Sequence, residues 1–269
     1  MDLSQFTHNG KFLMLALDHR ESFKKLINPQ NPDQVVDEKL IQLKSEIIGA
    51  VSDQFSSLLI DPYYGLQAYK NRTKPFLLCI ERSGYKEFAD GRYTELEFSG
   101  DEIKGYGAAG GKLLLYFNPY KGSAHTQLTK ADDVRHELNE IYNLPLFLEI
   151  VTYGSESKQK LITESVQAFL RANVQPDVFK LEFPGDAENC KKITGMLGQT
   201  PWILLTGGEE FNNFKHQLEI ATQNGCVGFL AGRALWKEIF ELVGEEKQTF
   251  LRETLPQRFR EISEIVLRS

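Results

Sequence analysis

The chain has 269 residues, 41% of them hydrophobic, which is enough for a large core and excludes a disordered or fibrous protein. Its 31 Lys and Arg residues against 37 Asp and Glu residues give a net charge of −6 without a basic cluster, so we expect no nucleic-acid partner. No apolar run reaches the roughly 20 residues that cross a bilayer, and we expect a cytoplasmic protein with no membrane contact and one domain over residues 1–269.

Eight short apolar runs rich in Leu, Ile, Val and Phe predict eight strands. They lack a period of two, which is typical of strands covered on both faces. In chain order, the predicted strands are 12–17, 57–60, 75–80, 112–117, 146–151, 178–181, 202–205 and 227–230.

Amphipathic segments between several of these runs predict helices, for example at 37–55, 131–142, 161–173, 212–223 and 234–243. Strands that alternate with helices pair in parallel through right-handed crossovers, and eight such units fit a closed barrel better than an open sheet. The predicted fold is therefore a (β/α)₈ TIM barrel. Residues 83–106 are polar and predict a loop or small hairpin, and residues 245–269 predict an extra C-terminal helix broken near Pro256.

Charged residues and glycines cluster at the ends of the predicted strands, where TIM barrels carry their chemistry. Buried charges are costly unless they are paired, so their convergence indicates a site, although any one of them alone could be a structural ion pair. The residues are Asp18, His19 and Arg20 after the first strand, Asp61 after the second, Glu81 and Arg82 after the third, Lys112 in the fourth, Glu149 in the fifth, Lys180 and Glu182 at the sixth, Thr206, Gly207 and Gly208 after the seventh, and Gly232 and Arg233 after the eighth.

Lys180 lies between apolar residues in VFKLEF. If its side chain enters the barrel, burial beside a second cation favours an uncharged amine that can attack a carbonyl. Lys112 can be that cation, and Glu149 can carry protons to and from a carbinolamine and an enamine. The alternative is a strand-end lysine whose stem is buried and whose ammonium group pairs with Glu182.

The seventh and eighth predicted strands are followed by Gly207, Gly208, Gly232 and Arg233. Many barrels hold a phosphate on backbone N–H groups at these two loops, and an arginine adds a forked cation. We therefore expect a phosphorylated substrate, although such glycine pairs are also common in ordinary turns. No histidine or cysteine pair has metal-ligand spacing, so we expect neither a metal nor another cofactor.

Seven segments together resemble the strand motifs of the class I tagatose 1,6-bisphosphate aldolase family. They are LALDHRESF, LLIDPYYG, GGKLLLYF, LEIVTY, PDVFKLEFP, ILLTGG and GFLAGRALW. The same order is similar to sulfofructosephosphate aldolases and to the aldolase-like domain of inositol-degradation sugar kinases, which DHRESF and PDVFKLE resemble most.

The resemblance implies a metal-independent TIM-barrel aldolase that cleaves a phosphorylated ketose through a lysine imine. It implies a catalytic set of Lys180, Glu149, Lys112 and Asp18, and a substrate-binding set of His19, Arg20, Asp61, Gly207, Gly208, Gly232 and Arg233. His19 replaces the family's usual glutamine, and TGGE replaces a serine-containing loop. The ketose therefore stays open among tagatose or fructose 1,6-bisphosphate, a deoxy-keto-gluconate phosphate and a sulfonated analogue.

Two other functions stay open. A sugar-phosphate-binding barrel without catalysis would keep the phosphate loops, and a transaldolase or isomerase would use the same frame. An aldolase would release dihydroxyacetone phosphate, or another three-carbon fragment, and an aldehyde. A homo-oligomer is compatible with the sequence.

Overall fold

The computed structural model describes residues 1–269, and its centre is a closed barrel of eight parallel strands. The strands are β1 (Phe12–Leu17), β2 (Ser57–Ile60), β3 (Phe76–Cys79), β4 (Lys86–Phe88), β5 (Gly91–Tyr93), β6 (Gly110–Phe117), β7 (Leu146–Thr152), β8 (Val178–Leu181), β9 (Trp202–Leu205) and β10 (Gly228–Ala231). Only β4 and β5 lie outside the barrel, where they form an antiparallel hairpin, and β1 closes the barrel by pairing with both β2 and β10. The predicted TIM barrel is confirmed.

Helices cover the outside of the barrel. They are α1 (Glu21–Ile27), α2 (Asp37–Ala50), α3 (Gly65–Ala68), α4 (Gly100–Gly105), α5 (Ser123–His136), α6 (Lys158–Arg171), α7 (Ala187–Leu197), α8 (Phe211–Thr222), α9 (Arg233–Trp236), α10 (Gly244–Thr249) and α11 (Leu255–Arg268). Segment 83–106 contains the predicted hairpin and the short helix α4. None of the helices is long and apolar enough to cross a membrane.

The helix boundaries differ most from the prediction in three places, and α2 also ends five residues before its predicted end. Helix α5 begins eight residues before the predicted start because its first turns are polar and carry no apolar period. The predicted helix 234–243 contains only α9 and a 3₁₀ turn, Lys237–Phe240. The expected break near Pro256 is wrong: α10 continues through a π-helical turn, Phe250–Thr254, into α11, and the wider turn accommodates the proline ring.

The amino end of the barrel is filled with apolar side chains. Phe6, from a 3₁₀ turn at Ser4–Phe6, is buried and packs edge to ring against Phe147 with 5.3 Å between the ring centroids. Phe12 packs against the same ring at 5.9 Å, and Met14 lies in the same interior cluster. With this end filled, the carboxyl end of the barrel is where polar chemistry has room.

Candidate active site

A cavity of about 630 Å³ opens at the carboxyl ends of the barrel strands. Every barrel strand except β2 contributes a lining residue, either from the strand itself or from the loop that follows it. The lining is strongly charged, and it includes Asp18, His19, Arg20, Glu81, Lys112, Glu149, Lys180, Glu182, Gly207, Gly232 and Arg233. The structure thus brings together nine of the eleven residues of the two predicted sets, while Asp61 and Gly208 lie outside the lining.

Strand alternation explains why these charges face the cavity. Val178 on β8 belongs to the apolar interior of the barrel, and Lys180 lies two residues further along, on the same face. The same step of two leads from Phe147 to Glu149 on β7. The apolar interior therefore ends in a layer of charged side chains just beneath the cavity.

Lys180 and Glu149 form a buried pair in this layer. They are register partners on β8 and β7, and Lys180 Nζ donates to Glu149 Oε2 at 2.7 Å. Their side chains are only 5% and 9% exposed. The alternative pairing with Glu182 is not found, because Glu182 Oε2 accepts hydrogen bonds from Thr152 and its other oxygen lies 3.1 Å from Lys158 Nζ.

Lys112 is the second lysine of the cavity and is fully buried among carboxylates. Its Nζ lies 2.5 Å from Asp18 Oδ2 and 3.6 Å from Glu149 Oε2, and it also contacts Glu81. Burial alone would lower the pKa of Lys112, but the three carboxylates outweigh burial and raise the pKa well above its ordinary value. Lys112 is therefore a permanent cation, and it shares the Oε2 atom of Glu149 with Lys180.

Asp18 and His19 both have lowered pKa values, which leaves Asp18 ionised and His19 neutral. Burial would raise the pKa of Asp18, but the charge of Lys112, with a smaller contribution from Lys180, holds it well below its usual range. Burial lowers the pKa of His19 to about 3, with a further contribution from Arg233, although Asp18 acts in the opposite direction. The imidazole is therefore neutral at physiological pH, and its ring packs edge-on against Trp236 at 5.2 Å.

Glu81 is the residue whose role the sequence analysis missed. Its position after the third predicted strand gives it no role by itself. In the structure, one carboxylate oxygen of Glu81 contacts Lys112 and the other accepts the N–H of Leu114 at 3.0 Å. The signal was available, because Glu81 follows Cys79 by two residues and Cys79 faces the barrel interior. Cys79 itself is buried, and burial raises the pKa of its thiol well above the ordinary value.

The only group of side chains with metal-ligand spacing lies here as well. Donor atoms of Asp18, Cys79 and Glu81 are all within 4.8 Å of one another. The ammonium group of Lys112 contacts both carboxylates. A fixed protein cation therefore already offsets part of the negative charge that would attract a metal ion.

Arg233 and the two glycine loops form the opposite, cationic part of the cavity wall. Gly207 and Gly208 both have left-handed backbone conformations, with φ of +57° and +82°. Gly208 lies behind the arginine, since a Cβ there would stand 3.3 Å from Arg233 Cζ. Gly232 is equally constrained, because its Cβ would lie 3.1 Å from His19 Cε1. Glycine at these positions thus leaves room for the guanidinium and imidazole groups.

The model of the DeoC/LacD family aldolase matches residues 12–238 of this chain. The chain belongs to this family. It is therefore an aldolase by family, a carbon–carbon lyase. A tagatose 1,6-diphosphate aldolase of Staphylococcus aureus (strain JH9) is 26% identical, and the match covers 94% of this chain and 89% of that protein.

Solved structures show the same fold. An archaeal fructose 1,6-bisphosphate aldolase matches with a TM-score of 0.72 and 17% identity, over 99% of this chain and 98% of its own. An archaeal fructose-1,6-bisphosphate aldolase with its catalytic lysine covalently bound to the carbinolamine intermediate matches with a TM-score of 0.69 and 18% identity, over 98% and 97% of the two chains.

Two predicted substrate contacts of this DeoC/LacD family member are held by other protein groups in the structure. Asp61 is fully buried outside the cavity, where its carboxylate binds Lys44 at 2.5 Å and accepts backbone N–H groups of residues 63–65. Asp61 follows Leu59 by two residues, so a continued strand would point its side chain into the barrel as well. Strand β2 ends at Ile60, however, and the chain turns there. Arg20 does line the cavity, yet its guanidinium is held by Glu97 and by the carbonyl of Glu81.

Proposed function

We propose that this protein is a class I aldolase in which Lys180 forms an imine with the carbonyl carbon of a phosphorylated ketose. The observation that carries the proposal is the Lys180–Glu149 pair, in which a buried amine has one protein hydrogen bond and faces the cavity. The covalently bound catalytic lysine of the archaeal relative supports the same chemistry. We take residues 1–269 as one domain that carries this activity.

The first steps need only these two side chains and the substrate. Proton transfer from Lys180 to Glu149 gives a neutral amine and a carboxylic acid, and the amine attacks the ketose carbonyl. Glu149 then returns its proton to the carbinolamine hydroxyl, which leaves as water. The result is a protonated imine on Lys180 beside an ionised Glu149.

The protonated imine then accepts the electron pair of the breaking carbon–carbon bond. Glu149 removes the proton from the substrate hydroxyl, an aldehyde forms and leaves, and the remaining fragment becomes an enamine. Glu149 protonates the enamine carbon, and hydrolysis of the imine releases the three-carbon product and restores Lys180. The fixed charge of Lys112, held by Asp18, would stabilise negative charge that develops on a substrate oxygen.

The cationic wall supports a phosphate group at one end of the substrate. Arg233 can bind phosphate oxygens in a forked manner, and Gly207 and Gly232 line the same cavity. Relatives that carry the names tagatose 1,6-diphosphate aldolase and fructose 1,6-bisphosphate aldolase support a ketose bisphosphate as the substrate. We therefore propose cleavage of tagatose or fructose 1,6-bisphosphate, or of a deoxy-keto-gluconate phosphate, to dihydroxyacetone phosphate or another three-carbon fragment and an aldehyde.

Borohydride trapping tests the proposal directly. Each ketose phosphate is incubated with the protein and sodium borohydride, and peptide mass spectrometry locates the reduced adduct. We expect the adduct on Lys180 and none in the Lys180→Met variant. Lys25→Met removes an exposed lysine that lines the same cavity and should retain the adduct.

An adduct on Lys112, or no adduct with any of the sugars, would contradict the assignment. Release of the three-carbon fragment is assayed with and without an added aldehyde acceptor. Release that requires the acceptor would identify a transaldolase rather than an aldolase. Ligand-dependent thermal stabilisation that survives Lys180→Met, without turnover by the wild type, would identify a binding protein.

A further inference from the structure

Lys44 is a buried cation outside the cavity that the proposed chemistry does not use. It lies on α2 with 0% exposure, and its Nζ donates to the carbonyl oxygens of Leu17 at 2.6 Å and His19 at 2.8 Å. Its third contact is Asp61 Oδ2 at 2.5 Å. An ammonium group has three N–H bonds, so every donor of Lys44 is satisfied by the protein.

The two carbonyl groups that Lys44 binds stand on either side of Asp18. Strand β1 ends at Leu17, so regular strand pairing does not hold the backbone of Asp18 and His19 in place. The carboxylate of Asp18 in turn lies 2.5 Å from Lys112 Nζ. Lys44 therefore fixes the backbone from which Asp18 reaches the cation of the cavity.

Asp61 anchors Lys44 from the opposite side. Its oxygens accept the N–H groups of Tyr63 at 3.0 Å, Tyr64 at 2.7 Å and Gly65 at 3.2 Å. The turn closes tightly, because a Cβ at Gly65 would stand 2.6 Å from the Ile60 Cβ. The carboxylate is thus immobilised by the turn after β2, and it holds the ammonium group against the end of β1.

A fully buried ion pair is an expensive way to stabilise a fold. Replacing such a pair with apolar side chains of similar volume is often neutral or stabilising, because the desolvation of two charges offsets their attraction. What the pair supplies is geometry: two hydrogen bonds from Lys44 fix the carbonyl groups of Leu17 and His19 at the end of β1, and the third fixes Lys44 to Asp61. A small displacement near reacting groups can cost about a hundredfold in rate.

We propose that Lys44, held by Asp61, is a positioning residue that sets the location of Asp18 and, through it, of the Lys112 ammonium group in the active site. The catalytic part of this inference rests on the proposed function, whereas the placement of Lys112 does not. Asp61 thereby acts on the site through Lys44 and α2 rather than by binding substrate.

The test replaces the charged pair with a neutral one. In Lys44→Met/Asp61→Asn we expect kcat to fall at least about tenfold with little change in KM. The same double substitution in an Asp18→Asn background should cause little further loss, because both act through one group. Lys74→Met removes an ammonium group from another backbone carbonyl, that of Phe55 outside the cavity, and should leave kcat unchanged.

If the pair had only a general structural role, the double substitution would lower kcat equally in the wild-type and Asp18→Asn backgrounds, and that result would overturn the proposal. A folded double variant with wild-type kcat would also overturn it. Should the double variant not fold, Lys44→Gln/Asp61→Asn provides a neutral, hydrogen-bonding pair for the same cycle.

An ¹H–¹⁵N spectrum of lysine ammonium groups, with Lys112 assigned through Lys112→Met, gives a readout independent of turnover. We expect the Lys112 signal to shift or broaden when the pair is removed; an unchanged signal contradicts the positioning even if no imine is ever trapped.

Discussion

Two of the buried lysine–carboxylate pairs at the carboxyl end of the barrel, Lys44–Asp61 and Lys180–Glu149, differ in one respect. Lys44 and Asp61 are 0% exposed with 2.5 Å between Nζ and Oδ2, and Lys180 and Glu149 are almost as buried at 2.7 Å. Lys44 donates to three protein acceptors, whereas Glu149 is the one acceptor of Lys180. We call Lys44–Asp61 the closed pair, because every N–H bond of its ammonium group has a protein acceptor. We call Lys180–Glu149 the open pair, because Lys180 has N–H bonds without a protein acceptor and lines the cavity.

Burial and opposite charge alone therefore do not distinguish a structural pair from a reactive one. Buried charges are paired in both cases, because an isolated ion inside a protein is too costly. The distinction comes from unused hydrogen-bonding capacity beside an open volume, which only the Lys180–Glu149 pair has. Changes to the open pair should accordingly act on catalysis directly, whereas changes to the closed pair should lower stability and act on catalysis only through the position of Asp18.

The largest expected effect comes from the open pair. Glu149→Gln keeps an oxygen that can accept from Lys180 but removes the group that exchanges protons. We expect kcat to fall about a thousandfold, equivalent to about 4 kcal/mol in the barrier. The unfolding free energy should fall by less than in Asp61→Asn, because Lys180 borders the cavity whereas Lys44 is enclosed by protein. Steady-state kinetics and urea unfolding measure the two quantities.

A carboxylate of the same cavity supplies the control for that change. Glu182 is fixed by Thr152 and Lys158, so Glu182→Gln should cost less than tenfold in kcat. Equal losses in the two variants would show that the cavity needs negative charge in general, and not a proton carrier at position 149.

The closed pair should respond in stability as well as, through the position of Asp18, in kcat. Asp61→Asn leaves the Lys44 cation buried without a counter-ion, which we expect to cost about 3 kcal/mol of unfolding free energy. KM for the substrate should stay within about twofold, because the side chain does not reach the cavity. Urea unfolding and initial-rate kinetics check both. A large rise in KM with unchanged stability would restore the substrate-binding role that the motif implied.

The contrast also explains what could be predicted from the sequence. The strands are visible as apolar runs because both of their faces are covered. Side chains along a strand still point alternately to its two faces, so Lys180 and Glu149 lie on the interior face two residues after Val178 and Phe147. Their mutual contact then follows from the parallel register of β7 and β8. Fold and central pair are thus consequences of local pattern plus barrel closure.

Asp61 shows where that reasoning ends. Like Asp18, it follows a strand at an interior-facing position, so the sequence treats the two alike. Their fates differ because the chain turns after Ile60 and because Lys44, on the preceding helix, supplies a cation at that point. Neither the turn nor a partner 17 positions away is visible in the spacing of strand residues.

His19 lies between the two pairs and gives the smallest effect, one that depends on pH. Its carbonyl accepts from Lys44, and its ring lines the cavity near Arg233 and Lys180, with Asp18 3.7 Å from Nδ1. Burial lowers the pKa of this imidazole from 6.5 to about 3. The unfolded chain therefore binds a proton at a pH where the folded protein does not.

The sign of the effect follows from that difference. As the pH falls below about 6.5, protonation stabilises the unfolded state, so stability decreases by up to about 1.4 kcal/mol per pH unit until the folded imidazole also titrates. His19→Gln removes this contribution, and urea unfolding at pH 7, 6 and 5 should show its advantage over the wild type growing as the pH falls. The exposed His125→Gln variant should follow the wild type. A constant difference between His19→Gln and wild type across this range would mean that the ring takes up its proton in the folded protein over the same pH range as in the unfolded chain, and the neutral imidazole assigned to the site would be wrong below about pH 6.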